Sequence, residues 1–165
     1  MDVLKQYLPL CWLKNNPLTL PRSVDFFKQN LLFYFVVEYF MQANMTDDPV
    51  EAFTEVGIAT LLTLMFIGVM LFLNRTLYAY VQVTTAIIFC ANIVALFIVP
   101  VLIWLTVSED PLSYYFLALL LFWDYVVVAH IIKQVLSINL FASLVLSLFY
   151  FAATYFGAFA LGQLL

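Results

Sequence analysis

The chain has 165 residues, of which 66% are hydrophobic and only 10% are charged, and its mean hydropathy is +1.06. Soluble domains carry about 25% charged residues, so water cannot be the solvent for most of this surface. The abundance of aromatic residues excludes disorder. Nucleic acid is excluded as a partner because 6 basic residues stand against 10 acidic ones, a net charge of −4. The composition indicates an integral membrane protein.

Charged residues divide the chain into apolar stretches long enough for membrane-spanning helices, each of which needs about 20 residues. The first three predicted spans cover about 29–46, 54–74 and 80–105. Tyr80 and Trp104 lie near the two ends of the third, where interfacial aromatic residues are expected. Pro100 is predicted to kink or end that helix.

Two more predicted spans follow, about 111–134 and 138–164. Pro111 suits the first turn of the fourth helix. The loops are only a few residues long, so consecutive helices are expected to be antiparallel neighbours. The predicted fold is therefore all-α, a polytopic bundle of five transmembrane helices within residues 28–165, with a leader at 1–27.

The leader has apolar residues at helical spacing between Val3 and Trp12, flanked by Lys5 and Lys14. One interpretation is a short interfacial helix on the inner leaflet. The other is a loosely ordered tail packed against the bundle, because Pro9 interrupts the repeat. Both interpretations stay open.

The charges predict the orientation of the bundle, since basic residues in short loops mark the cytoplasmic side. With five spans, every basic residue falls on one side, and the outer loops carry only acidic ones. The N-terminus is therefore predicted to be cytoplasmic and the C-terminus outside. The basic residues are Lys5, Lys14, Arg22, Lys28, Arg75 and Lys133, and the acidic ones are Asp47, Asp48, Glu51, Glu109 and Asp110.

Two carboxyl groups are predicted to lie near the middle of the bilayer. Glu38 lies ten residues past Lys28, about 15 Å along a helix. Asp124 lies nine residues before Lys133, about 13–14 Å from the same side. No basic residue is expected at that depth, and an unpaired charge there costs at least about 2.5–3.5 kcal/mol. The two acids therefore mark a candidate site.

Three interpretations of this site stay open: a proton or cation site, a neutral hydrogen-bonded structural carboxyl, and a contact with another protein. Tyr34 and Asn92 are predicted to supply hydrogen bonds to the acids. His130 lies six positions from Asp124, about 120° around the helix, so the two cannot form a dyad. His130 and Lys133 are predicted to lie at the cytoplasmic interface.

Small and polar side chains on each predicted span recur at three- and four-residue spacing, so they share one face. Lipid solvates large apolar side chains well, whereas small and hydroxylated ones allow close helix packing. These faces are therefore predicted to meet inside the bundle. For the fifth span the inward residues are Ser143, Ser147, Tyr150, Thr154 and Gly157, and the outward ones are Leu144, Leu148 and Phe156.

Motifs of catalysis and cofactor binding are absent from the sequence: there is no GxSxG, HExxH, P-loop or GxGxxG, and only one histidine. Cys11 and Cys90 are 79 residues apart with no CxxC spacing, which predicts two small buried apolar side chains rather than a disulfide or zinc site. We therefore expect a protein that is not an enzyme and holds no metal or cofactor.

The stretch WDYVVVAHIIK at 123–133 places a tryptophan and a histidine ahead of a basic helix end. It resembles the fourth helix of short bacterial membrane proteins of unknown function. The layout of five closely spaced spans, with a cytoplasmic N-terminus and a C-terminus almost within the last helix, resembles the Yip1-type membrane proteins over roughly residues 20–165. The resemblance implies a small non-enzymatic bundle that acts through lipids or other proteins.

Two functions are compatible with these features. The leading hypothesis is a scaffold or accessory subunit in a bacterial inner (plasma) membrane, with the lipid bilayer and other membrane proteins or a second copy as partners. The alternative is a small proton- or cation-coupled carrier that uses Glu38 and Asp124, with Asn92 and Tyr34 as their polar neighbours.

Overall fold

A computed structural model describes residues 2–46, 48–108 and 110–163. Over these residues the chain is all-α, 87% helical and without strands. Five positions within the predicted ranges lie outside the described residues: Met1 at the start of the leader, the outer-loop acids Asp47 and Glu109, and Leu164 and Leu165 at the end of the chain.

The described chain is a series of helices joined by short turns. Short 3-10 helices lie at Leu8–Trp12, Pro17–Thr19 and Leu77–Ala79. A π-helical turn at Ala152–Phe156 joins the last two α-helices. The α-helices are α1 (Asp2–Tyr7), α2 (Val24–Ala43), α3 (Pro49–Leu73), α4 (Tyr80–Ser108), α5 (Pro111–Leu136), α6 (Leu140–Phe151) and α7 (Gly157–Gly162).

Polar side chains fix where the long helices begin. The first amide groups of a helix have no partner within it, and an oxygen on the preceding residue can accept from them. Asp48 accepts from the backbone N–H of Val50 at 2.8 Å, and Ser23, Asp110 and Asn139 act in the same way before α2, α5 and α6. These caps allow the turns between helices to be short.

Within the described ranges, four helical segments are long and apolar enough to cross a membrane: Pro49–Leu73, Leu77–Ser108, Pro111–Leu136 and Leu140–Gly162. The remaining long helix, α2, has 20 residues and is therefore about 30 Å long. It is the most polar of the long helices because it carries Asp25, Lys28 and Glu38.

The centre of the bundle is α4, which packs against α2 on one side and α5 on the other. Its residues from Val83 to Cys90 are all buried. A helix that is apolar all round is expected in such a position, because it has no face in contact with water. The segment that starts with α6 packs against α5, and its α7 end packs against α3.

Several observed boundaries differ from the predicted ones. Pro100 does not end α4, which continues to Ser108. A membrane helix tolerates an internal proline because local adjustments satisfy the backbone group that the ring frees. The helices α2 and α3 begin five residues earlier than predicted, at Val24 and Pro49. The predicted spans begin beside charged residues, Lys28 for the first and Glu55 for the second, but both helices start before them. Their first turns hold Asp25 and Glu51, and acidic side chains are favourable near a helix N-terminus.

The leader lies against the bundle, with contacts to α4 and α5. It is helical from Asp2 to Tyr7, and Tyr7, Leu10 and Cys11 are buried. The hydroxyl of Tyr7 donates a hydrogen bond to the carbonyl of Pro21 at 3.0 Å. The leader is thus partly helical, and part of its apolar face packs on the bundle, while Leu4, Leu8 and Trp12 are exposed. Its predicted position on the inner leaflet stays a prediction.

We expect Tyr7→Phe to loosen the leader without unfolding the bundle. Burial raises the pKa of the Tyr7 hydroxyl to about 12, so the group stays protonated at neutral pH and its hydrogen bond to Pro21 persists. Loss of such a bond costs about 1 kcal/mol. Limited proteolysis of the leader should become faster than in the wild type. Unchanged proteolysis would show that this hydrogen bond does not hold the leader in place.

The predicted packing of the last span is confirmed for its inward face. Ser143, Ser147, Tyr150 and Thr154 are all buried, and Gly157 is half-buried. On the outward face, Leu148 is 61% and Phe156 76% exposed, whereas Leu144 is half-buried. Helical spacing of small and hydroxylated side chains therefore identified the interior of this bundle correctly.

Candidate functional site

A cavity of about 190 Å³ lies between α2, α4, α5 and the segment that begins with α6. Glu38 from α2 and Asp124 from α5 both line it, and three tyrosines do so as well. The remaining lining is largely apolar and comes mainly from α4 and α5. The tyrosines are Tyr34, Tyr150 and Tyr155.

Helical geometry explains why these groups face the cavity. Tyr34 and Glu38 are four residues apart on α2 and so lie on one face of that helix. Asp124 lies near the middle of α5, and Tyr150 lies near the end of α6. Of the four residues predicted from sequence, the structure therefore brings Glu38, Asp124 and Tyr34 together.

Asp124 has an incomplete set of partners. Its Oδ1 atom is buried and forms no hydrogen bond within the described residues. Among those residues, no lysine or arginine lines the cavity. A buried carboxylate without a partner is costly. The arrangement therefore favours any event that neutralises Asp124, such as uptake of a proton or a cation.

A second, smaller cavity of about 20 Å³ adjoins the same residues, with Tyr34, Glu38, Thr60 and Tyr155 in its lining. Its volume is enough for about one water molecule. Glu38 lines both cavities, so its carboxyl group lies between the large cavity on one side and α3 on the other.

The π-helical turn lies at this site. It covers Ala152–Phe156 and contributes Tyr155 to both cavities. Thr154 in the same turn is buried, and its hydroxyl donates to the carbonyl of Tyr150 at 2.9 Å. Such turns insert an extra residue into a helix and occur frequently at functional sites. The irregular backbone therefore coincides with the predicted carboxyl site.

A further acidic residue, Glu55, is not among the site residues predicted from sequence, because the second span was predicted to begin beside it. It lies on α3 and is only 8% exposed. The side-chain amide of Gln42 donates a hydrogen bond to it, and Gln42 itself lines the large cavity one turn from Glu38. The early start of α3 at Pro49 is the signal that places Glu55 inside the helix bundle.

Asn92 does not line the cavity. It is buried on α4, and its side-chain amide donates to the backbone carbonyl of Asn30 at 3.1 Å. This bond ties α4 to α2. The predicted role of Asn92 as a hydrogen-bond partner of the acids therefore has no counterpart in the geometry, and its position is that of an interhelical contact.

His130 and Lys133 lie near the end of α5, away from the cavity lining. Both side chains are half-buried. The backbone of Asn15 in the leader lies close to His130, and the Nε2 atom of His130 is buried with no hydrogen-bond partner among the described residues. His130 therefore contacts the folded leader. Its predicted position at the cytoplasmic interface stays a prediction.

Both cysteines are buried, as predicted from sequence, and in addition they contact each other. The leader folds back onto α4 and brings the Sγ atoms of Cys11 and Cys90 to 3.2 Å. Both are buried free thiols. A separation of 79 residues along the chain gave no indication of this contact, because it depends on how the leader packs.

The geometry of the site is suited to a proton or a small monovalent cation. Two carboxyl groups can supply negative charge, and the tyrosine hydroxyls can donate or accept hydrogen bonds. No group of three or more His, Cys, Asp or Glu side chains able to hold a metal ion occurs in the described part of the chain. Comparison with protein-family models, curated proteins and solved structures found no match to this chain.

Proposed function

We propose that this chain is a non-enzymatic membrane protein that binds and passes protons or small monovalent cations at the cavity shared by Glu38 and Asp124. The observation that carries the proposal is that two acids on helices far apart in sequence line one cavity that no basic side chain among the described residues reaches. A contact with another membrane protein would require groups on the outer surface of the bundle, whereas these two acids line a cavity between its helices. The geometry therefore favours the carrier over the accessory subunit.

The physical basis is the cost of charge in a poorly solvated space. Two ionised carboxylates around one cavity repel each other, and water there is too limited to screen them. A proton or cation bound between them relieves this repulsion. The site should therefore take up a positive species from one side and release it when the surroundings become more polar.

The volume of the cavity is consistent with this role. One water molecule occupies about 30 Å³ in the liquid, so about 190 Å³ accommodates a cation with part of its hydration shell. Tyr34, Tyr150 and Tyr155 supply hydroxyl groups to replace the missing water. The hydrogen-bonded Gln42 and Glu55 continue the polar lining towards the acidic end of the bundle.

We also propose that α2 is a fifth span and that the N-terminus is cytoplasmic, in a bacterial inner membrane. α2 packs side by side with α3 and α4, and its length of about 30 Å matches a bilayer core. The leader lies at the same end of the bundle as the start of α4, since the amide of Gln82 donates to the carbonyl of Leu20 at 2.6 Å. That end carries the basic residues.

Single cysteines introduced into a chain that lacks Cys11 and Cys90 test this topology. Cysteines at positions 48 and 110 should react with a membrane-impermeant maleimide added outside. Cysteines at positions 75 and 137 should react only after the membrane is permeabilised, because these positions lie in loops predicted to be cytoplasmic by their basic residues. Labelling of positions 48 and 75 from the same side would contradict the proposed path of α3.

The transport function is tested with the purified chain in liposomes. A pH-sensitive dye inside reports proton entry down an imposed gradient, and separate preparations carry sodium or potassium gradients. The proposal expects at least one of these ions to move faster than in protein-free liposomes. If protons, sodium and potassium all move no faster than in protein-free liposomes, the proposal is overturned and the scaffold or accessory role is favoured.

The resemblance to Yip1-type membrane proteins stays a prediction based on the layout of the spans. No activity or partner is carried over from it to this chain. A structural role as an accessory subunit would instead be indicated by a reproducible complex with other membrane proteins after mild solubilisation.

A further inference from the structure

The thiol pair formed by Cys11 and Cys90 lies outside the carboxyl site and has no part in the proposed transport. We propose that these two residues form a reversible disulfide that fastens the leader to α4, with a lipid-soluble quinone as the oxidant. The Sγ atoms are 3.2 Å apart, and both side chains are almost completely buried.

The contact is close enough for bond formation after a small movement. The S–S bond of a disulfide is about 2.05 Å long, so the sulfur atoms must approach by only about 1 Å. Cys90 belongs to the rigid centre of α4, whereas Cys11 lies on a short 3-10 segment. The leader can therefore supply the movement while the bundle stays in place.

The depth of the pair limits what can oxidise it. Cys90 lies ten residues past Tyr80, the first residue of α4, which is about 15 Å along the helix. That distance is about half the thickness of a bilayer core. A water-soluble protein oxidant would have to attack one of these sulfurs directly, and their burial within the folded chain does not allow it.

An apolar groove gives a small lipid-soluble molecule access to Cys11. It has a volume of about 230 Å³ and is lined by Cys11 together with Trp12, Phe97 and Trp123. Trp12 is 57% and Phe97 56% exposed, so the groove opens at the surface of the bundle. The rings of Trp12 and Trp123 meet edge to face, with centroids 5.9 Å apart. A flat quinone ring can stack against these aromatic side chains, whereas a polar oxidant cannot.

The reaction balances with a quinone as the second reactant. Each thiol loses its proton, one S–S bond forms, and the sulfur pair gives up two electrons. The quinone accepts the two electrons and two protons and becomes a quinol. After the chain is unfolded, an added thiol reductant can reach the disulfide and reverse the change by thiol–disulfide exchange.

The consequence is a covalent ring that holds residues 11–90 and therefore contains α2 and α3. A cross-link over so long a loop restricts the unfolded chain strongly. The oxidised protein should thus have a higher apparent Tm than the reduced protein, and its leader should resist proteolysis.

The test uses the full chain in liposomes, first reduced and then treated with either a short-chain ubiquinone analogue or diamide. After denaturation in detergent, free thiols are alkylated with a maleimide and the intact mass is measured. We expect the wild type to lose both reactive thiols with both oxidants, to stay monomeric on a non-reducing gel and to recover both thiols with a phosphine reductant. Cys11→Ala and Cys90→Ala are the matched controls, and each should keep its remaining thiol.

Three outcomes would overturn the proposal or its assignment of the oxidant. If diamide leaves both wild-type thiols open to alkylation, the pair does not form a disulfide. If oxidation gives only disulfide-linked dimers, the sulfurs pair between chains rather than within one. Oxidation by diamide but not by the quinone analogue would overturn the assignment of the oxidant. None of these results depends on whether the carboxyl site transports ions.

Discussion

Replacing Glu38 by Gln and Asp124 by Asn together should reduce ion entry into liposomes to the rate of protein-free membranes. The amides have nearly the shape of the carboxyl groups and keep the ability to hydrogen-bond. They cannot take up a proton or balance the charge of a bound cation. The amount of folded protein in the membrane should therefore stay close to that of the wild type, while transport is lost.

The matched control is Glu51→Gln, which removes one exposed carboxyl group that lines neither cavity. This variant should transport like the wild type. If the double variant accumulates normally and still transports, the two acids are not the ion site. If it fails to accumulate while the control does not, Glu38 and Asp124 have a structural role, which was one of the three interpretations drawn from sequence.

Gly157→Leu should destabilise the bundle by about 1–3 kcal/mol, the usual range for overpacking. A Cβ atom at this position would lie 3.0 Å from the Cδ1 atom of Leu62 on α3. Leu62 can shift by a few tenths of an ångström to accept a methyl group, so Gly157→Ala should be much milder. The additional branched carbons of leucine have no such space and should separate the last helix from α3. Unfolding in increasing concentrations of a denaturing detergent measures the effect.

Gly57→Leu provides the matched control, because no atom lies within 4 Å of a Cβ built at that glycine. Its effect on unfolding should be small. Leu148→Ala should also matter little, since this leucine is 61% exposed. Equal destabilisation by Gly157→Leu and Gly57→Leu would show that the contact between α7 and α3 is not tightly packed.

The parts of the fold that follow from local pattern could be predicted from sequence. Long apolar stretches identify the membrane helices because each must supply about 20 apolar residues. Helical spacing placed Tyr34 and Glu38 on one face, and it placed Ser147 and Thr154 in the interior. The shared depth of Glu38 and Asp124 also followed, because the rise of a helix per residue is constant.

The parts that depend on tertiary packing could not be predicted in this way. The contact between Cys11 and Cys90 requires the leader to fold onto α4. Asn92 is as polar as a site residue, but its side-chain amide donates to the backbone carbonyl of Asn30 on α2. Glu55 is buried only because α3 begins before it and α2 supplies Gln42. Each of these contacts depends on which side chains meet when the helices pack, and the local pattern of residues along the chain does not indicate it.

Infrared difference spectroscopy of the reconstituted protein during a pH titration tests the central claim most directly, because protonated carboxyl groups have a carbonyl band separate from that of carboxylates. We predict a carboxyl band that rises as the pH falls, and a change in that band in Glu38→Gln and in Asp124→Asn taken singly, since the two groups share one cavity. Glu51→Gln should leave the band unaltered. A titration in which neither Glu38→Gln nor Asp124→Asn changes any titrating carboxyl band would contradict the claim that these two acids take up and release protons.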